Sequence, residues 1–121
     1  MIKVDKGEID SDNYQIMFSV LDAKKTYAEE PILFRGNLNL SESDVVELPN
    51  HIIALDNIDL DYCSKLKSIP EILVTSSLSL LGIKAFKLPD SIEVETIYVD
   101  KAKLKKFRDT NPALRRFFTG V

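Results

Sequence analysis

Histidine, cysteine, tryptophan and glycine are scarce in this chain. Its 121 residues include one histidine, His51, one cysteine, Cys63, four glycines and no tryptophan. A single cysteine excludes an internal disulfide framework, and a single histidine leaves few ways to build a zinc site or a histidine-based triad. The sequence also contains no phosphate-binding glycine loop, no G-x-S-x-G and no HExxH. We therefore expect a protein that is not an enzyme and that holds no metal and no cofactor.

Long apolar runs and a secretion signal are lacking as well. The N-terminus has no basic segment followed by an apolar one, and apolar stretches are only a handful of residues long. A membrane-spanning helix needs about 20 consecutive apolar residues, and a signal peptide needs both segments. The lone Cys63 agrees with a reducing compartment. The expected location is the cytoplasm, without membrane association.

Neither charge sign is in large excess. The chain has 16 Lys and Arg against 19 Asp and Glu, a net charge of -3, and 45% of its residues are hydrophobic. This balance is too mild and too mixed for generic disorder or for a protein that binds polyanions over its whole surface. A chain of this length and apolar content can bury a core, and we expect a single domain.

Short alternating triplets recur about every twenty residues. They begin at residues 38, 58, 78 and 97: Leu38-Asn39-Leu40, Ile58-Asp59-Leu60, Leu78-Ser79-Leu80 and Ile97-Tyr98-Val99. An apolar-proline pair follows each of the first three: Leu48-Pro49, Ile69-Pro70 and Leu88-Pro89. Each triplet turns alternate side chains to opposite faces, so only stacking of successive units covers its inward residues. The shared period predicts a small solenoid whose strands form a parallel ladder.

One unit resembles a leucine-rich repeat. Residues 55–70, LDNIDLDYCSKLKSIP, match LxxLxLxxCxxLxxLP with Cys63 at the Asn/Cys position. The neighbouring units depart from the pattern at that position, which is occupied by Ser43, Ile83 and Ala102. The shorter units are similar to the compact repeats of small bacterial, prophage and phage proteins. The resemblance implies an LRR-like solenoid of about four coils over residues 31–107, in which Cys63 is a buried ladder residue.

The segment before the repeats, residues 1–30, is expected to be an N-terminal capping region. Residues 11–13, Ser-Asp-Asn, offer an N-cap, and Tyr14, Met17, Phe18 and Leu21 follow at helical spacing. This pattern predicts an amphipathic helix to about Tyr27 that covers the open end of the core. Membrane attachment is the alternative, which the small number of basic residues on the polar face disfavours.

The segment after the repeats is basic. Residues 100–121 contain seven basic side chains against Asp100 and Asp109, a local charge of +5 that leaves -8 for residues 1–99. The basic residues are Lys101, Lys103, Lys105, Lys106, Arg108, Arg115 and Arg116. We expect residues 108–121 to form a cap with a short helix that Asp109 or Thr110 begins, with Pro112 in its first turn. These basic residues form either a solvated outer face or a secondary binding patch.

The outward residues of the triplets are the main candidate surface. In repeat proteins the exposed face of a strand ladder is rigid and continuous, and it is the usual recognition surface. The candidate protein-binding residues are Asn39, Asn57, Asp59, Asp61, Leu81, Tyr98 and Asp100. Leu81 and Tyr98 are the expected anchors, and the polar groups around them suit a basic or polar protein. The alternative is that these residues only turn polar groups toward water.

Asp59 and Asp61 could in principle do more, because two carboxylates on one strand face can share a proton or hold a cation. The neighbouring triplets supply no second close pair. This arrangement disfavours a hydrolase or a metal site.

Together these features predict a non-catalytic protein–protein interaction module. The resemblance to phage and prophage repeats implies a role in binding and modulating or inhibiting a host protein. The competing hypothesis is a structural protein that forms homo-oligomers through its acidic body and its basic C-terminus. Nucleic-acid binding by the basic C-terminus ranks third, because Phe107, Phe117 and Phe118 have the spacing of a core-facing stripe.

Overall fold

Every strand in the described part of the chain runs parallel to its neighbours. The computed structural model describes residues 2–4, 8–9 and 31–121, so the predicted N-terminal capping helix lies outside the described residues. The eight strands form one sheet: β1 (Ile2–Val4), β2 (Glu8–Ile9), β3 (Ile32–Phe34), β4 (Asn37–Asn39), β5 (His51–Asp59), β6 (Ile72–Ser79), β7 (Thr96–Val99) and β8 (Phe118–Gly120). The described residues also include one short helix, α1 (Leu104–Thr110), between two 3-10 helices, Lys101–Lys103 and Pro112–Phe117. None of these helices has the length and apolar character needed to cross a membrane.

The strand pairing joins residues about twenty positions apart. Leu38 pairs with Ile58, Ile58 with Leu78, and Leu78 with Ile97. The ladder continues past the strand ends, because the Leu40, Leu60 and Leu80 N–H groups donate to the carbonyls of Asp59, Ser79 and Tyr98 at 2.8, 2.9 and 2.8 Å. The prediction that the four triplets form a parallel ladder is confirmed.

The two central strands are longer than the triplets and carry two sets of pairings. The first half of β5 pairs with β3, which in turn pairs with β1, and the second half pairs with β4. A bulge separates the halves, because two residues of β5 lie between Ala54 and Asn57 where β6 has one. The bulge bends the strand and allows one long strand to join two short ladders.

The chain leaves the ladder through a turn that repeats with the same period. Glu42, Tyr62 and Gly82 have φ values of 59°, 60° and 73°. This left-handed conformation is disfavoured for residues other than glycine, so its recurrence at equivalent positions reflects the same local geometry in three units. A Cβ atom at Gly82 would overlap the ring of Tyr62, which packs against this glycine. The conformation favours a glycine here, and the contact with the Tyr62 ring excludes a larger residue unless the ring moves.

The inward residues form one hydrophobic core. All the apolar triplet residues are fully buried: Leu38, Leu40, Ile58, Leu60, Leu78, Leu80, Ile97 and Val99. The apolar residues before the prolines, Leu48, Ile69 and Leu88, belong to the same core. Cys63 is buried as expected, and its Sγ donates to the Leu40 carbonyl at 2.9 Å. The alternation in the sequence therefore identifies the core face of the ladder.

The C-terminal segment differs in detail from its prediction. Helix α1 spans the boundary that the sequence places between residues 107 and 108. The helical turn that contains Pro112 follows Asn111 rather than Asp109 or Thr110. Strand β8 was not predicted, and it extends the sheet by pairing with β7. Phe107 and Phe118 join the core together with Leu114, and Phe117 is partly buried against it, in agreement with the predicted core-facing stripe of these three phenylalanines.

Candidate protein-binding surface

The outward side chains of the ladder lie in three rows, which we call the strand face. The first two rows lie within the strands and the third lies in the turns that follow them: Asn37, Asn57, Ser77 and Thr96; Asn39, Asp59, Ser79 and Tyr98; Ser41, Asp61, Leu81 and Asp100. Because the pairing register is in phase with the sequence period, equivalent residues of successive units become neighbours. All seven predicted protein-binding residues lie on this face.

The first row is a chain of side-chain hydrogen bonds. The Asn57 Nδ2 group donates to Asn37 Oδ1 at 3.1 Å, and the Asn57 backbone N–H donates to the same oxygen at 3.2 Å. The Ser77 hydroxyl in turn donates to Asn57 Oδ1. Asn57 is exposed, but much of its hydrogen-bonding capacity is used within the ladder. Its amide therefore contributes more to the shape of the face than to contacts with a partner.

The carboxylates of the face also stabilise the turns. Asp59 Oδ1 accepts the Asp61 N–H at 2.9 Å, and Asp61 Oδ1 accepts the Leu81 N–H at 2.8 Å and the Ser79 hydroxyl at 2.6 Å. Asp100 Oδ2 accepts the Gly82 N–H at 2.8 Å. Charge-assisted hydrogen bonds of this kind fix the orientation of each carboxylate. The face is therefore both negatively charged and rigid.

Tyr98 lies in β7, and Leu81 and Tyr62 lie in the turns after β6 and β5; we call these three residues the tyrosine cluster. Tyr62 and Tyr98 are 56% and 37% exposed, and Leu81 is half-buried. The Tyr62 N–H donates to the Leu81 carbonyl at 2.7 Å, which fixes two members relative to each other. Exposed aromatic side chains on a rigid backbone are typical anchors of protein interfaces.

Sequence reasoning did not include Tyr62 in the binding surface. In the repeat pattern LxxLxLxxCxxLxxLP, Tyr62 occupies a variable position, marked x, immediately before Cys63 at the Asn/Cys position. One signal was present in the sequence, since Gly82 stands twenty residues later at the equivalent position. A glycine beside an aromatic residue in the next unit leaves room for the ring to lie flat against the backbone.

Within the described residues, no three histidine, cysteine or acidic side chains are grouped so that they could hold a metal ion. Asp59 and Asp61 lie on one strand face as predicted, and their oxygens accept hydrogen bonds from the turns. The arrangement stabilises the fold and presents charge.

The predicted basic patch divides into two groups. Two lysines are paired with carboxylates, since Lys103 Nζ lies 3.3 Å from Asp100 and Lys105 Nζ lies 2.9 Å from Asp109. The hydrogen bond and the charge of Lys105 lower the pKa of Asp109, and the charge of Arg115 adds to this effect. Lys101 and Lys106, in the same segment, are exposed to solvent. The second group, Arg108, Arg115 and Arg116, lines a cleft.

Comparisons with known proteins give no relative from which a function could be taken. No family model, no curated protein and no solved structure matches the chain. The surfaces themselves must therefore indicate the function. Among the described residues, the strand face with its tyrosine cluster combines rigidity, negative charge and exposed aromatic area.

Proposed function

We propose that this chain is an LRR-like solenoid that acts as a non-catalytic protein-binding module. Three observations support the solenoid assignment. Strands pair across about twenty residues, the turns at Glu42, Tyr62 and Gly82 share a left-handed conformation, and Cys63 is buried with its thiol bonded to the Leu40 carbonyl. Each unit is too short to form a core alone, so stacking is what stabilises it.

The partner docks on the strand face in this proposal. The observation that carries it is the tyrosine cluster, which lies next to three turn carboxylates on a backbone held by hydrogen bonds. Tyrosine supplies a large contact area at a low cost in side-chain entropy. Fixed carboxylates around such anchors favour lysine or arginine side chains on the partner and raise the association rate. A basic protein segment fits this surface best.

The biological role that we propose follows from the resemblance in sequence. Compact repeats of phage and prophage proteins suggest a cytoplasmic protein that binds a host protein and modulates or inhibits it. Such a role requires no catalytic group, because occupation of a functional surface on the host protein is sufficient. The partner's contact area and charge, rather than any reaction, would then determine specificity.

Alanine substitution of the tyrosines tests the proposed function. Wild-type protein and the variants Tyr62→Ala, Tyr98→Ala and Leu55→Ala are used to capture proteins from a nuclease-treated bacterial lysate. Leu55 is the matched control, because it is 54% exposed, lies in the bulge of β5 and belongs to none of the three rows of the strand face. We expect a protein that wild type and Leu55→Ala retain, with affinity reduced by about tenfold or more in each tyrosine variant. A partner that all variants retain equally would place the interface elsewhere.

Self-association is the second candidate function. Carboxylates cluster on the strand face, and three arginines line one cleft near the C-terminus, so two copies could join through surfaces of opposite charge. Such a head-to-tail contact would be heterologous and would form rings or filaments. Light scattering at low and high salt separates the candidates. An oligomer that dissociates with salt supports assembly, and a monomer at all salt concentrations supports recognition of another protein.

A further inference from the structure

A cleft of about 520 Å³ lies beside helix α1 and the 3-10 helix that follows it. We call it the arginine cleft after its lining, which consists of Arg108, Pro112, Ala113, Arg115 and Arg116. No carboxylate of the described residues is part of this lining. Three arginines share this lining, and their positive charges repel each other unless an anion lies between them.

Arg108 is held in place by one hydrogen bond and leaves another donor unused. One Nη atom donates to the Phe118 carbonyl of β8 at 3.0 Å. The Nε atom is buried and has no hydrogen-bond partner among the described residues. A buried donor on a charged group is costly without an acceptor, and such donors commonly mark the site of a bound ion or water. The fixed guanidinium is thus oriented before any ligand arrives.

Arg115 and Arg116 provide the exposed side of the cleft. The guanidinium of Arg116 lies 4.8 Å from the centre of the Phe117 ring, and this cation–π contact restricts its motion. Arg115 and Asp109 attract each other electrostatically, but the Asp109 carboxylate already accepts a hydrogen bond from Lys105 at 2.9 Å. The positive charge of the cleft is therefore only partly balanced by the protein itself.

We propose that the arginine cleft binds a phosphate group, either as inorganic phosphate or as a phosphate monoester. Guanidinium groups present several N–H donors in a planar fork, and they match phosphate oxygens well. A phosphate dianion carries more charge than a carboxylate and offers oxygens in three directions, so arginines from different sides can contact it together. This site is separate from the strand face and does not depend on the function proposed for that face.

The test is a titration with inorganic phosphate, followed by NMR of the arginine Nε–Hε signals at constant ionic strength. We expect a saturable shift of the Arg108 signal. Arg115→Gln and Arg116→Gln should each weaken binding about five- to tenfold, because each removes a charge-assisted hydrogen bond. Lys106→Gln is the matched control, since this exposed lysine of α1 does not line the cleft. Its binding should stay within about twofold of wild type.

A substitution that removes a negative charge attracting Arg115 should strengthen phosphate binding, and so it tests the proposal in the opposite direction. Asp109→Asn should strengthen phosphate binding, because the Asp109 carboxylate competes for Arg115. Asp90→Asn is its control, since Asp90 also forms an exposed pair with a lysine, Lys87, but lies between β6 and β7, outside the C-terminal segment that forms the cleft. A parallel titration with phosphoserine distinguishes a monoester site from a site for free phosphate, according to which of the two binds more tightly.

Several results would overturn the proposal. One is a titration without saturation, and another is acetate binding as tightly as phosphate. Equal losses in Lys106→Gln and Arg115→Gln would show a diffuse basic surface in place of a site. Binding of a single-stranded oligonucleotide that grows with its length and is not displaced by phosphate would likewise indicate nonspecific attraction to a polyanion.

Discussion

Asn111 joins the last loop of the repeats to the C-terminal segment, and its replacement gives the sharpest stability test. The side chain is 0% exposed. Its Oδ1 accepts the Leu88 N–H at 2.6 Å, while its Nδ2 donates to the carbonyls of Phe86 and Phe107 at 2.9 and 3.0 Å. One amide therefore satisfies three backbone groups, two of which belong to the loop around Leu88. No apolar residue could replace it without leaving these groups unpaired.

The expected cost of Asn111→Ala follows from these contacts. The Phe107 carbonyl keeps the hydrogen bond from the Asn111 backbone N–H at 2.9 Å, so it loses little. The Leu88 N–H and the Phe86 carbonyl lose their hydrogen bonds to the Asn111 side chain, and an unsatisfied buried backbone group costs about 1–3 kcal/mol. We therefore expect the free energy of unfolding to fall by about 3 kcal/mol. For a domain of this size that corresponds to a decrease in Tm of about 10 °C.

Urea denaturation followed by circular dichroism measures this loss. Asn50→Ala is the matched control, because Asn50 is an exposed asparagine at the end of a loop. Its cost should be within about 0.5 kcal/mol of zero. A loss below about 1 kcal/mol in Asn111→Ala would refute the reasoning, and so would equal losses in the two variants.

Three further predictions concern single side chains. Gly82→Ala should destabilise the protein by about 1–2 kcal/mol, since φ is 73° and the new Cβ would overlap the Tyr62 ring. Urea denaturation should show a smaller loss of stability when the same substitution is made in the Tyr62→Ala variant. Cys63 should react with a thiol reagent only as fast as the protein opens, because its thiol is buried and hydrogen-bonded to a backbone carbonyl. Labelling of Cys63 that is faster than amide hydrogen exchange of the core would contradict this prediction. NMR titration should place the pKa of Asp109 below its ordinary value of 3.8, and Lys105→Gln should raise this pKa. Because the folded-state pKa is lowered, the Lys105–Asp109 pair should add stability above pH 3.8, and this stability should disappear as the pH falls through the folded-state pKa.

The sequence predicts the core of the ladder well, for a physical reason. Alternation with period two determines which residues of a strand are buried, and the twenty-residue period places equivalent residues side by side. Leu38, Ile58 and Leu78 therefore follow from the pattern alone, and the structure buries all of them. The first half of β5 was less visible, because the bulge after Ala54 interrupts the alternation.

The C-terminal elements were harder to predict because their stability comes from tertiary contacts. Helix α1 has seven residues, and only Phe107 among them is buried, so it lacks an extended apolar stripe. Strand β8 has three residues and forms only because β7 offers an open edge. A short segment with few local signals takes its structure from its neighbours.

The candidate surfaces were predicted in position but not in detail. Outward residues such as Tyr98 follow from alternation, whereas the bonds of Asp61 to Ser79 and Leu81 depend on the pairing register. The arginine cleft gathers residues from two helical segments, and no sequence pattern marks their convergence. Sequence alone therefore identifies a face, and the structure identifies which side chains on that face are committed to the fold.

Site-specific photo-crosslinking tests the central claim most directly. A photoreactive phenylalanine derivative replaces Tyr98, Tyr62 or, as a control, Leu55, and the protein is irradiated in a bacterial lysate. Crosslinking at the two tyrosine positions to the same protein, with none at Leu55, is the result that the strand face predicts. Crosslinking to that protein at Leu55 alone, or no specific product at either tyrosine position, would contradict the claim.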